Sequence, residues 1–229
     1  MSSIVFDTGP IITLTTNNLL WLLEEMKKHY DGDFVITSSV HRELIDRPLT
    51  TKKFKFEALQ VLRCVKDNVL TVLDDKKFRN EVMSLLDIAN NSFFARGKPM
   101  RIVHYAEISS LVAAMKLKAD AFVVDERTTR LLIENPPNLK KVVERHLHMD
   151  VKLNSKKFSE FKKKVKDIKP IRSIEMITVA FEMGLLDKYL PPMEDSKKVL
   201  LQSLLWGSKL NGCAVSTAEI DRIVALEKL

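Results

Sequence analysis

Two apolar runs, Ile4-Val5-Phe6 and Ala121-Phe122-Val123-Val124, each end in an aspartate and a chain reversal, Asp7-Thr8-Gly9-Pro10 and Asp125-Glu126-Arg127. Short apolar runs closed by such punctuation read as buried strands. Phe34 to Thr37 and Val69 to Leu73 are two more, and the sequence between the runs has helical spacing. Leu19, Leu20, Leu22, Leu23 and Met26 form one apolar face; Phe78, Val82, Leu85, Leu86, Ala89 and Phe93 form another, ended by Arg96-Gly97-Lys98-Pro99; Ile108, Leu111, Val112 and Met115 form a third. Val40 to Ile45 is expected to be a helix that stops at Arg47-Pro48, because a residue before proline is pushed away from the α region. Parallel strands need crossover connections, so residues 1–155 predict an α/β domain with a parallel sheet flanked by helices.

Residues 156–229 are expected to form a helical region packed on that sheet, with no Gly/Ser linker to separate them. A basic helix over about 155–169 carries the stripe Phe158, Phe161, Val165 and Ile168, and Ser216-Thr217-Ala218-Glu219 is a capping box that opens the last helix. Glycine occurs only 6 times in 229 residues, which argues against architectures that need a positive φ at every hairpin.

The formal charge of +7 is concentrated in residues 151–172, which hold nine Lys/Arg and two Asp/Glu, leaving the rest of the chain balanced. No membrane-length apolar window and no secretory leader are visible, and Cys64 and Cys213 form no metal or disulfide pattern. The expectation is a soluble protein of the reducing cytoplasm without a membrane partner.

Ligands of open α/β sheets bind beyond the carboxyl ends of the strands, where Asp7 and Asp125 stand. Glu43 and Glu107, each in a first helical turn, are candidates to join them. Clustered carboxylates repel unless a cation neutralises them, so four together predict a hard divalent ion, Mg²⁺ or Mn²⁺. Each also has a plainer reading: Asp7 and Asp125 as turn residues, Glu43 and Glu107 as favourable charges near helix starts. Dinucleotide and P-loop signatures, H-E-x-x-H and G-x-S-x-G are all missing from the sequence, which removes the corresponding chemistries.

The segments IVFDTGPIITL, VHREL and AEISSLVAAMKLKADAFVVDERTTR resemble, in order and context, the acidic motifs of PIN-domain nucleases. The carboxyl-terminal stretches EMITVAFEMGLLDKYL and LLQSLLWGSKLNGCAVSTAEIDRI resemble the helical ending of longer prokaryotic members. The resemblance implies a Rossmann-like sheet and a metal-dependent endoribonuclease acting on single-stranded or structured RNA, with Asp7, Glu43, Glu107 and Asp125 holding Mg²⁺ or Mn²⁺. It assigns Thr8, Asp120 and Arg127 supporting positions. It further suggests a homodimer and either a toxin paired with an antitoxin or a place in an RNA-processing complex. The alternative is a PIN-like scaffold that binds RNA or protein with little turnover.

RNA beside an acidic site must be held by basic groups. Lys156, Lys157, Lys162, Lys163, Lys164 and Lys166 on the basic helix are the candidates, against the reading that they form a merely solvated face. Arg96, Lys98, Arg101, Arg127 and Arg130 are further contact candidates near the acids.

Overall fold

The computed structural model describes residues 2–227. Strand β1 (Ser2–Phe6) lies at the centre of a five-stranded sheet, with β2 (Gly32–Thr37) and β3 (Thr71–Leu73) on one side, and β6 (Ala121–Val123) and β8 (Pro170–Ile171) on the other. All four pairings are parallel. The chain steps outward from β1 through β2 to β3, then returns to lay β6 against the other edge of β1. The strand order therefore reverses between β1 and β6, and a crevice opens at their carboxyl ends.

Side chains alternate across the sheet, as a pleated strand requires. Phe6, Phe34, Ile36 and Val123 face one core, packed with Ile11, Leu14, Val61, Ile174, Ile177 and Leu201. Val5, Val35, Phe122 and Val124 face the other, packed with Val82, Leu85, Ile108, Leu111, Val112 and Phe161. Burying each of these side chains stabilises the fold by roughly 1.5 to 3 kcal/mol before the entropy cost of ordering is counted.

The first core is covered by α1 (Thr8–Thr16), α2 (Leu22–Lys27), α5 (Lys55–Lys66), α11 (Ser173–Glu182), α12 (Ser196–Leu210) and α13 (Thr217–Leu226). The second is covered by α6 (Arg79–Asn90), α7 (Tyr105–Leu117), α8 (Arg127–Glu134), α9 (Pro136–Leu147) and α10 (Ser155–Val165). Gly32 sets the start of β2, because a Cβ there would meet the Ser2 carbonyl oxygen at 2.6 Å and prevent the close β1 to β2 approach.

The α/β architecture and the strands ending before Asp7, Ser38, Asp74 and Asp125 match the sequence reading, and three features differ from it. The segment after β2 stays helical through α3 (Ser38–His41), a π-helical turn at Arg42–Asp46 and α4 (Arg47–Leu49), rather than stopping at Pro48. Proline has no N–H for the Leu44 carbonyl, and the wider turn accommodates it, with the Arg47 N–H reaching back five residues to Arg42 O. Phe93 is not the end of a helical stripe; it lies in β4 (Phe93–Ala95), which joins β5 (Lys98–Pro99) and β7 (Val151–Leu153) in a small antiparallel sheet. The region after 155 is not purely helical, since it supplies edge strand β8. These added strands have two or three residues each, too few to show an alternation. The capping box at Ser216 is present as expected, with Ser216 and Glu219 exchanging hydrogen bonds. Among the described residues no helix is long and apolar enough to cross a membrane.

Candidate active site at the carboxyl edge of the sheet

Asp7 continues the β1 ladder, its N–H donating to Val123 O at 3.0 Å, and then opens α1. Its carboxylate makes no capping hydrogen bond, so the turn-residue reading does not account for it. The residue is 3% exposed, and Oδ1 is buried without a partner. Burial pushes the carboxyl up to about 8; the Thr8 backbone N–H pulls it part of the way back, while Glu107, Glu43 and Glu126 push it higher. The charges that chiefly act on this buried acid are those of three other acids, and like charges disfavour its ionised form.

Glu43 reaches this edge from the π-helical turn, where Thr8 Oγ1 donates to its Oε2 at 2.7 Å. π turns recur where a helix must aim one side chain at a functional position. Glu107 comes from the first turn of α7; its Oε2 accepts from the His104 N–H at 3.1 Å and from Thr129 Oγ1 at 3.2 Å. The His104 bond bears out the helix-start reading of Glu107 without exhausting it, because Oε1 makes no hydrogen bond among the described residues. Burial raises the Glu107 carboxyl as well, the His104 N–H opposes this, and the charge of Glu126 adds to the rise.

Asp125 behaves differently. Thr13 Oγ1 donates to Oδ2 at 2.7 Å, the Ser173 N–H to Oδ1 at 2.7 Å, and Ser173 Oγ to Oδ2 at 2.8 Å. A negative charge at the start of α11 is well placed for the helix dipole. Both oxygens are thus committed to joining β6, α1 and α11, and Asp125 acts in this structure as an anchor. The next residue, Glu126, is half-buried, caps α8 through the Thr129 N–H at 2.6 Å, and contributes its charge to Asp7 and Glu107.

Alternation explains the exchange of roles. Val5 and Phe122 face the α7 side of the sheet, and Phe6 and Val123 face the α11 side. Extending the period by two residues sends Asp7 and Glu126 to the α7 side, where Glu107 waits, and Asp125 to the α11 side, where Thr13 and Ser173 wait. Glu126 is the acid that strand-end position alone does not single out, although the period of β1 and β6 indicates it.

No protein-family model, curated protein or solved structure matches this chain.

A second missed acid, Asp75, braces the elements that carry Glu43 and Glu107. It is 2% exposed and accepts from Ser38 Oγ at 2.6 Å, Ser109 Oγ at 2.7 Å, the Ser39 N–H at 3.2 Å and Ser39 Oγ. Burial alone would raise its carboxyl, but the three serines outweigh it and hold the group below the usual range. The charge stays ionised and ties the start of α3 to the first turns of α7.

The remaining predicted residues divide by position. Thr8 belongs to the site through Glu43. Arg127 is exposed in the first turn of α8 and bonds no described residue. Asp120 precedes β6 at the opposite, amino edge of the sheet, where its N–H meets Ser3 O and its Oδ2 accepts from the Tyr30 hydroxyl at 2.5 Å. Asp120 therefore lies at the edge of the sheet away from the acids. Phe161 and Val165 of α10 are buried as expected, and Lys156, Lys162, Lys163, Lys164 and Lys166 are exposed. This helix runs down to the start of β8, so Lys162, Lys163, Lys164 and Lys166 lie toward the amino edge, away from the acids. Lys157 pairs with Asp87 at 3.2 Å.

The basic groups beside the acids come from elsewhere. An open cleft of about 860 Å³ borders Glu43 and is lined by Arg42, Arg47, Arg101 and His104.

Proposed function

We propose that this chain is a metal-dependent nuclease of the PIN type that hydrolyses single-stranded RNA at the carboxyl edge of its sheet. The observation that carries the reading is the buried, partnerless Oδ1 of Asp7, raised in pKa by burial and by Glu107, Glu43 and Glu126. Such a concentration of negative charge at a sheet's switch point is costly unless a cation offsets it.

The donor set fits a hard divalent ion, since it consists of carboxylate oxygens. Asp7, Glu43, Glu107 and Glu126 would hold Mg²⁺ or Mn²⁺, while Asp125 keeps the walls in register. Among the described residues no three His, Cys, Asp or Glu are already gathered at metal-holding separations. Glu43 is exposed and Glu126 half-buried, and both have side chains long enough to close on an ion. Bound there, the ion supplies a Lewis acid that acidifies water and stabilises charge on a phosphodiester.

The protein's own groups do the rest. Asp7 would face a bound ion as its carboxylate, Glu107 is oriented by the His104 N–H and Thr129, and Glu43 is oriented by Thr8.

The test is cleavage of a mixed-sequence single-stranded RNA by wild type and Asp7→Asn, with Mn²⁺, with Mg²⁺ and with EDTA. Metal-dependent cutting lost in the mutant is the expected result. Absence of cutting with either ion, beside salt-sensitive RNA binding, would replace the enzyme with a binding scaffold.

A further inference from the structure

We infer that the arginine cleft beside Glu43, and not the lysine-rich helix, holds the phosphodiester backbone of a single-stranded RNA next to the acids. The inference rests on the nuclease reading for its ligand and on the following observations for its location.

Arg42, Arg47 and Arg101 line one open cleft of about 860 Å³ together with His104, Thr50, Tyr105 and Ser39. All three arginines are exposed, and none forms an ion pair with another described residue. Arg63 with Asp67 and Lys116 with Glu81 show the alternative, a surface cation already neutralised by a neighbouring acid. The acidic members of the lining are Glu43 and Asp46, and Asp46 is already 3.4 Å from His41 Nδ1. Three guanidiniums without protein partners around one cleft form an anion site, and their planar forks match phosphate oxygens.

Position strengthens the assignment. Glu43 belongs both to the cleft and to the acid group around Asp7, so a backbone bound to the arginines enters directly at the acids. The π-helical turn places Arg42 and Glu43 side by side, and the helix continues to Arg47, so one rigid element carries two of the cations and one of the acids. Arg101 comes from the segment leading to α7, whose first turn carries Glu107. The lysines of α10 have more charge but descend toward the other edge of the sheet.

Binding of a labelled single-stranded RNA, measured by fluorescence anisotropy in EDTA across a salt series, tests this without requiring turnover. The proteins are wild type, a triple variant Arg42→Gln, Arg47→Gln, Arg101→Gln, and a triple variant Lys162→Gln, Lys163→Gln, Lys166→Gln. These side chains are exposed, so both variants keep the fold, checked by circular dichroism. The arginine triple is expected to weaken binding at least about tenfold at fixed salt and to flatten the log K against log salt slope by about 2, near 0.7 per charge. The lysine triple is expected to change both by less than half as much. Unchanged affinity and slope in the arginine triple, or the larger loss in the lysine triple, overturns the inference, as does absence of salt-sensitive binding by wild type. Cleavage is a separate measurement, so a chain that binds through the arginines but never cuts would refute the nuclease and leave this assignment standing.

Discussion

At the carboxyl edge, Asp7 and Asp125 end neighbouring strands, yet the two sides of the sheet treat them in opposite ways. On the α11 side, Thr13 and Ser173 saturate Asp125 with three hydrogen bonds. On the α7 side, Asp7 has an oxygen without a partner and faces three glutamates. Hydrogen bonding of the charged form makes a buried carboxylate stabilising, whereas desolvation beside like charges makes it costly. One aspartate thus holds the structure together, and the other stores a cost that a ligand can relieve.

The contrast is broken most directly at Asp7. Asp7→Asn should reduce metal-dependent cleavage by about a thousandfold or more, about 4 kcal/mol in transition-state terms. The same change should stabilise the metal-free protein. The carboxyl is ordinarily near 3.8 and is pushed up to about 8 in the fold, so between those values the native state retains a proton that the unfolded chain has lost. Stability then falls as pH rises from about 4 to about 8, by up to ~1.4 kcal/mol per pH unit from this group, and levels off above that range. Urea unfolding of wild type and Asp7→Asn at pH 5, 6, 7 and 8 should show the mutant's advantage widening with pH. A constant difference between the two proteins would mean that Asp7 is not an uncompensated acid.

Asp125→Asn should show the reverse pattern. The carboxamide cannot accept from every donor that meets Asp125, so the fold should lose about 2 to 3 kcal/mol in urea. The fraction that remains folded should still cleave within a few-fold of wild type. Full stability combined with lost turnover would return Asp125 to the reacting group and remove the division between the two sides.

Glu126→Gln sharpens the same question. The amide oxygen still caps α8, so stability should hardly move, while cleavage should drop about 10- to 100-fold. Unchanged cleavage would exclude Glu126 from the site. The smallest effect is expected for Thr8→Val, which removes the hydrogen bond to Glu43. Cleavage should fall only a few-fold, chiefly through weaker metal affinity, which a Mn²⁺ titration of the rate would resolve.

Asp7, Glu43 and Glu107 drew attention as a constellation, Asp7 at a strand end and the two glutamates near helix starts, although a helix start gives a glutamate a structural use of its own, as the His104 N–H does for Glu107. Four of the five parallel strands were legible as short apolar runs closed by polar or turn residues, the exception being the two-residue β8. Asp125 attracted attention by adjacency to its strand, while the deciding signal lay in the alternation: Phe122 and Val124 fix one face and Val123 the other, which sends Glu126 and not Asp125 toward Asp7. Asp75 was illegible, because its serine partners come from β2's exit and from α7, and only tertiary closure brings them together. The lysine run was conspicuous in composition, but its place along the sheet depends on β8, a strand of two residues that no periodicity can announce. The arginines beside Glu43 are scattered across Arg42, Arg47 and Arg101, so they never appear as a cluster in the linear chain.

The bond from Ser173 to Asp125 also has a consequence for synthesis. The partner that completes the anchor, and the edge strand just before it, are translated about 50 residues after Asp125 itself. A nascent chain that has released only its first 155 residues holds Asp7, Glu43, Glu107 and Glu126 but lacks the latch on β6. Its acids become fixed in register only as the carboxyl-terminal helices emerge, so the ribosome finishes the scaffold of the site late. A premature stop between residues 127 and 172 yields a chain with all four of these acids and without the Ser173 partner of Asp125.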